Sequence, residues 1–375
     1  MANTDLILET ATLEEWWKSY RLVRTASFFQ SPDWSDIWCT HAGSHFKPSP
    51  LKAVFPSGKT VHVPLTVQEL RAGLGSVWHG SVAGTYGGWL CGEESGLSPD
   101  EVTVLVRSLF TYCGSLTFRP FPVLTGSGFA DGAMANMPDG PDASRGTGPA
   151  STRPFPNSVT HGLPGVTVSD DRTWLLDCEG GYAAVEEKWA REKPALLRNI
   201  SKARRNGVRI RRAETRSDIS EYHRLYLRSV ERWDPPPVHV YPESLFVALV
   251  DGGGPERTDA RELWLAEYGG KVVAGAVMLR GRNHSAYWHG AMDAESSKVR
   301  PMNLLVASIV ASTCGEGIRW FDFNPSMGIA GVERFKSSFG AVAAACPVLQ
   351  KTGSAVKVAA SAGRMKRRVK NLFRR

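Results

Sequence analysis

The stretch GVERFKSSFGA at residues 331–341 sets a lysine between two phenylalanines. Phe335 and Phe339 stand four residues apart and share one face of a helix, so Lys336 projects off an apolar face. An ammonium there is either a solvated charge beside two core aromatics or a fixed charge aimed at an oxygen that turns negative during a reaction. A second group is basic: from Arg198 to Arg212 the chain carries seven Lys and Arg and no acid. Arg198, Lys202 and Arg205 leave a helix from one side while Leu196, Leu197, Ile200 and Ala203 form its apolar face. Guanidinium forks suit phosphate oxygens, and a solvated helix face is the alternative use. Asp322, in WFDFNP, ends a strand, where a carboxylate serves as a proton acceptor or as a turn cap. Tyr287 and His289, in YWHGAM, are the other candidates for moving a proton.

The elements that position these residues occur twice. VWHGSV at 77–82 and YWHGAM at 287–292 share Trp-His-Gly, and further pairs follow in the same order. Upstream of each lies a Gly-Lys turn (Gly58-Lys59, Gly270-Lys271) that leads into a β-branched run, the pattern of a hairpin. Downstream lie a proline suited to a first helical turn (Pro99, Pro301), an apolar helix, a Cys-Gly stop (Cys113-Gly114, Cys314-Gly315) and an aromatic strand. The matched pairs are 212, 210, 202 and 201 residues apart, so only loop lengths differ. This predicts a tandem duplication of one α/β unit, with Trp78 and Trp288 on equivalent strands. His79 and His289 read as hydrogen-bonded partners of that architecture. Between residues 172 and 232 the order is strand (TWLLDC), two helices broken at Pro194 and stopped at Asn206-Gly207, strand (GVRIRR), and a helix capped by Ser217 or Asp218.

The predicted divisions are residues 1–123 and 170–350 as two domains, 124–169 as a Gly/Pro-rich linker or insert, and 351–375 as a basic tail. That tail holds nine Lys and Arg and no acid, so the +8 net charge of the 375 residues resides in it and the body is close to neutral. Such a segment attracts anionic lipid, nucleic acid or an acidic partner. Apolar residues at 42% and charged residues at 22% suit packed domains. No stretch is long and apolar enough for a membrane span and no basic-apolar leader opens the chain, which predicts a cytoplasmic protein. Six cysteines without a C-x-x-C pattern predict buried thiols, with neither a metal site nor a disulfide framework.

The order of elements resembles the GNAT fold of N-acyltransferases, present here twice. The C-terminal half also resembles the FemAB family, double-GNAT aminoacyltransferases that attach amino acids to peptidoglycan precursors, and related acyltransferase-like proteins of polysaccharide operons. LLRNISKARRNGV, the segment from YWHGAM to WFDFNP, and GVERFKSSFGA carry the likeness over most of residues 172–345, and FFQSPDW carries it in the first half. The resemblance implies an α/β fold with α+β mixed sheets in tandem GNAT-like domains. It implies an acyltransferase that forms an amide on an amine of a sugar- or peptide-containing cell-envelope precursor. Lys336 takes the family's oxyanion-stabilising role, and Arg198 its diphosphate contact, with Lys202 and Arg205 beside it. Phe335, Tyr287 and His289 would line the substrate, and Asp322 is the candidate base.

No metal and no tightly bound cofactor is implied; the acyl donor, aminoacyl-tRNA or acyl-CoA, is a co-substrate. CoA-dependent members carry a Q/R-x-x-G-x-G/A loop at a helix start. The helix after Pro301 lacks it, and the formal match RGTGPA at 145–150 falls in the linker, which favours an aminoacyl-tRNA donor. The competing readings are an acyl-CoA-dependent N-acetyltransferase of polysaccharide biosynthesis and a non-catalytic scaffold that binds anionic polymers. The tail would hold the protein at the inner face of an anionic membrane.

Overall fold

The computed structural model describes residues 6–42, 45–70, 75–80, 82–92, 96–120, 163–232, 240–251, 261–326, 328–354 and 356–357. The first half contains β1 (Ile7–Thr10), α1 (Leu13–Leu22), α2 (Pro32–Ala42), β2 (Phe46–Pro48), β3 (Leu51–Val54), β4 (Thr60–Val63) and β5 (Thr66–Glu69). It continues with β6 (Ser76–His79), β7 (Leu90–Cys91), α3 (Pro99–Cys113), β8 (Leu116–Phe118) and β9 (Val166–Ser169). The second half opens with β10 (Arg172–Asp177), α4 (Gly181–Glu192), α5 (Pro194–Arg205), β11 (Arg209–Arg212), α6 (Arg216–Val230) and α7 (Glu243–Asp251). Then come β12 (Arg261–Tyr268), β13 (Lys271–Arg280), β14 (His284–Met292), α8 (Pro301–Gly315), β15 (Trp320–Asp322), α9 (Ala330–Ser337), β16 (Val342–Ala345) and β17 (Val348–Lys351).

The chain divides into two compact units. The first comprises residues 1–23, 29–171 and 345–375; the second comprises 24–28 and 172–344. The expected limit at residue 350 therefore shifts: β17 pairs with β8 and β9 in the first unit, Leu349 facing both Phe118 and Val168. Leu349 is fully buried in the first unit's core, which gives the strand its place. β9 likewise makes a strand of the last residues assigned to the linker; residues 124–162, with RGTGPA, lie outside the described residues, as does the tail from 358.

In the first unit β5, β6 and β8 stand side by side in a six-stranded sheet, with β6 antiparallel to β5 and parallel to β8. The second unit repeats this: β14 is antiparallel to β13 and parallel to β15. Each parallel pair is joined through one helix, α3 or α8, with proline at its start. Trp78 on β6 and Trp288 on β14 thus occupy equivalent strands. The hairpin before each differs instructively. β12 and β13 run unbroken, whereas its counterpart is cut into β2–β5 and β3–β4, in two sheets. One register persists across the cut, with Pro48 opposite Thr66 and Leu51 opposite Val63. Pro48, Pro50 and Pro64 supply the cut, because proline cannot donate to a ladder.

The second unit's seven-stranded sheet has the order β11-β12-β13-β14-β15-β10-β16. The order of strand, two helices and strand holds, but the two strands are not neighbours in the sheet: β10 pairs with β15, while β11 pairs with β12. The two helices that join neighbouring strands β11 and β12 are α6 and α7. Leu196, Ile200 and Ala203 of α5 pack with Leu304, Leu305 and Ile309 of α8 over one sheet face, where Ala274, Ala276 and Met278 point. On the other face Tyr222 of α6 lies against Gly275, whose missing Cβ would stand 2.5 Å from the ring. The cap of α6 is Thr215, not Ser217, and Asp218 closes the reciprocal capping box three residues later. Gly315 stays inside α8, so the second Cys-Gly pair does not stop its helix where the first does.

Candidate active site

β14 and β15 are ladder partners only at the start, where His284, Ser285 and Ala286 face Trp320, Phe321 and Asp322. β15 ends at Asp322, so beyond Ala286 the ladder stops and β14 continues with a half-buried run, Tyr287 to Gly290. A β-bulge shapes this run: Met278 faces Tyr287 and Val277 faces His289, which leaves Trp288 as the extra residue. Without the bulge Tyr287 and His289 would share a face. With it they diverge, Tyr287 toward α8, where its hydroxyl lies 3.8 Å from Met302 Sδ, and His289 toward α6. These two candidates are therefore not brought together. Gly290 is required beside Tyr287, since a Cβ there would lie 1.7 Å from the phenol oxygen.

Asn324 spans the point where the ladder stops, its Nδ2 donating to the Tyr287 carbonyl at 2.9 Å. Its φ of 60° is left-handed, in a residue that precedes proline, where extended backbone is favoured. A conformation of this kind costs on the order of 1–3 kcal/mol and persists only where its surroundings impose it. Three hydrogen bonds impose it here: Asn324 N donates to Asp322 Oδ1 at 2.7 Å, Nδ2 reaches Tyr287, and the Asn324 carbonyl accepts from Lys336 Nζ at 2.6 Å. Lys336 Nζ also donates to the Pro325 carbonyl at 3.1 Å. Sequence reasoning missed Asn324; its signal was an Asn-Pro pair directly after a strand, since Asn tolerates the left-handed region.

Lys336 is 4% exposed, so the solvated-lysine alternative does not hold. Phe335 on α9 and Phe339 in the turn just after it stack edge to face at 5.2 Å, so the two do not share one helix as their spacing implied, and Lys336 turns inward along the Asn324–Pro325 turn. Asp322 is wholly buried. Its Oδ1 accepts from Thr173 Oγ1 at 2.5 Å and from Asn324 N, and its Oδ2 lies 2.9 Å from His284 Nε2. With both oxygens occupied inside the sheet, its place is that of a hub fixing β10, β14 and β15, which corrects the expected base. The phenol of Tyr287 is pushed well up by burial and stays protonated. His289 is pushed down to about 3, by burial first and by nearby His223 second.

Arg198, Lys202 and Arg205 are exposed on α5, and none has a hydrogen-bond or ion-pair partner among the described residues. Arg211 and Arg212 differ: Arg211 pairs with Asp218 and Glu267, and Arg212 with Glu262, so the basic run splits into an open part and a neutralised part. All six cysteines are free thiols; five are buried and Cys91 is half-buried. Among the described residues no cluster of His, Cys, Asp or Glu could hold a metal ion, and no helix is long and apolar enough to cross a membrane.

Residues 191–337 match the family described as acetyltransferase (GNAT) domain, a span that runs from α4 through α9. Among curated proteins none matches this sequence. Solved structures similar in fold include FemX, at 11% identity and a TM-score of 0.62, with 92% of this chain and 96% of that one covered. A conserved protein of unknown function from Bacteroides thetaiotaomicron is similar at 10% identity and a TM-score of 0.52, with 92% and 99% covered. A tandem GNAT protein from the clavulanic acid biosynthesis pathway is similar at 12% identity and a TM-score of 0.50, with 92% and 98% covered. Residues 191–337 thus match a GNAT acetyltransferase domain, and the chain shares its fold with FemX and with a tandem GNAT protein.

Proposed function

We propose that the second unit transfers an acyl or aminoacyl group to an amine of a cell-envelope precursor, a sugar or a peptide, and forms an amide. The observation that carries this reading is the buried Lys336 ammonium, held by two carbonyls just beyond the end of β15. Attack of an amine on the acyl carbon of the donor places negative charge on the carbonyl oxygen; the charge then returns as the donor's ester or thioester bond breaks, and the amine's proton leaves with the released hydroxyl or thiol. A fixed positive charge in a dry site stabilises that oxygen without reorganising at the moment of reaction. Lys336 acts as this charge and, through Asn324, also sets the strand end that forms the wall. Phe335, half-buried beside the core of α9, lines the same wall. Asp322 and His284 position the strands and take no proton from the substrate.

Arg198, Lys202 and Arg205 hold phosphates of a donor or acceptor, as open guanidinium and ammonium groups do. The similarity in fold to FemX supports the envelope setting and an aminoacyl-tRNA donor. The match to an acetyltransferase domain supports the second reading, an acyl-CoA donor, and one local feature agrees with it. α8 begins without a side-chain cap, Arg300 before it at φ 60° and Pro301 at its first position, which leaves amides open to a pyrophosphate. The basic tail adds attraction to an anionic membrane surface. The test is to incubate the full chain with labelled aminoacyl-tRNA and acyl-CoA donors and with amino-sugar and peptidyl-amine acceptors. A labelled amide product is the expected result, the productive donor decides between the two readings, and no product with any pair contradicts both.

A further inference from the structure

α1 turns one side to the core, where Trp16 and Tyr20, four residues apart, are buried. Its outward side is not simply polar. Leu13 is 53% and Leu22 62% exposed, Trp17 is half-buried, and Lys18 and Arg21 stand exposed among them. Of the four large hydrophobic side chains exposed among the described residues of the first unit, three (Ile7, Leu13 and Leu22) belong to β1 and α1, so the exposed apolar surface is concentrated there. Leu13, Glu14, Trp17, Lys18, Arg21 and Leu22 line an open concavity of about 700 Å³. Leu13 also lines a second one, of about 360 Å³, whose other walls include Pro48, Pro50, Leu51 and Trp78. The Arg21 guanidinium lies over the Trp17 ring, 5.2 Å from its centroid. Charge on this side favours cations: Lys18 and Arg21 stand against Glu14 alone, because Glu15 is taken up by the Thr12 amide at 2.7 Å and by Lys52 at 3.2 Å.

We infer that the outward side of α1 is a docking surface for an anionic lipid bilayer, with Leu13, Trp17 and Leu22 seated at the boundary of headgroups and acyl chains and Lys18 and Arg21 on lipid phosphates. Seating Trp and Leu there removes apolar surface from water, while long basic side chains lay their stems along it and keep their charge among the anionic groups. Nucleic acid would use the two cations and leave the leucines in water, so the composition favours the bilayer. One short face binds a bilayer weakly, and stable attachment takes a second signal. The chain carries one on the same unit: β17 sets Leu349 in the first unit's core, and from residue 358 to the end the sequence holds seven Lys and Arg and no acid. The inference goes beyond the transferase reading and does not depend on it.

The experiment mixes the full chain with sedimentable vesicles, of phosphatidylcholine alone or of equal parts phosphatidylglycerol and phosphatidylcholine, and measures the bound fraction. Binding is expected on the anionic vesicles and is expected to be weak on the neutral ones. The paired variants Leu13→Glu with Leu22→Glu, and Lys18→Glu with Arg21→Glu, alter exposed side chains, so both are expected to melt as wild type does. Each is expected to bind the anionic vesicles on the order of 10-fold more weakly. A second measurement needs no charged variant: bromine on the upper acyl chains is expected to quench wild-type fluorescence more than that of Trp17→Phe. Wild type that ignores anionic vesicles, folded variants that bind as wild type does, or equal quenching with and without Trp17 overturns the inference. Variants that bind unchanged would leave the basic tail as the membrane contact. Wild-type dimers that the leucine variant loses, without vesicle binding, would assign the face to a second copy of the chain. Amide-forming turnover by a protein that binds no vesicles would remove the docking surface and leave the transferase standing.

Discussion

Lys336 Nζ lies 2.6 Å from the carbonyl oxygen of Asn324, a residue twelve positions earlier whose side chain in turn holds the carbonyl of Tyr287 where the β14–β15 ladder stops. The lysine is thereby part of the fold as well as a charge. A sequence reading that sets Lys336 off the Phe335–Phe339 face implies that truncating it barely affects stability. The structure reverses that implication: Lys336→Ala leaves two carbonyls without their donor, a cost of about 1–3 kcal/mol for each buried polar group left unsatisfied.

Asp322→Asn removes a buried carboxylate from its contacts with Thr173, His284 and the Asn324 amide. Breaking such a network from one side costs about 3 kcal/mol or more. Thermal or urea unfolding of the variant is expected to show that loss. A variant as stable as wild type would mean that the hub does not hold the strands.

His289 adds an acid sensitivity with a definite sign. Its folded pKa is pushed down to about 3, below the ordinary value of 6.5, so between these pH values the unfolded chain binds the extra proton. The contribution is fully present above about pH 6.5 and is lost progressively as pH falls toward 3. His79, pushed down to about 4 by burial, adds in the same direction. His289→Gln is expected to flatten the dependence of unfolding free energy on pH across this window. An unchanged slope contradicts the assignment.

Gly275→Ala places a Cβ 2.5 and 2.7 Å from two carbons of the Tyr222 ring. Overpacking of this kind costs about 1–3 kcal/mol. Since Tyr222 holds His289, the substitution is expected both to lower the melting temperature and to move the His289 imidazole signals. A lower melting temperature with unmoved His289 signals would separate the glycine from the histidine it is argued to serve.

Much of this architecture was legible in the chain, and the reasons are local. Pro99 and Pro301 mark helix starts because proline suits a first turn, and the ordered repeats mark equivalent strands. The partner of a strand is not a local property, so the pairing of β10 with β15 could not be read from TWLLDC. The bulge at Trp288 was equally hidden, because alternation along YWHGAM places Tyr287 and His289 on one face and only the register with β13 separates them. Lys336 stands out through the resemblance of its Phe-Lys pair to the family, since spacing alone left a solvated lysine open, and its carbonyl partners follow from a backbone conformation at Asn324 that the sequence only hints at.

The most direct test of the account is turnover by Lys336 variants of the full chain, measured with the donor and acceptor that wild type uses. Lys336→Met keeps the length and removes the charge, and Lys336→Arg keeps the charge on a broader planar group. The variants are first shown to be folded by their melting curves at the assay temperature. The account requires kcat to fall on the order of 10²-fold or more in Lys336→Met, the scale of losing one oxyanion donor, with weak recovery in Lys336→Arg. A folded Lys336→Met protein that turns over at the wild-type rate would contradict it.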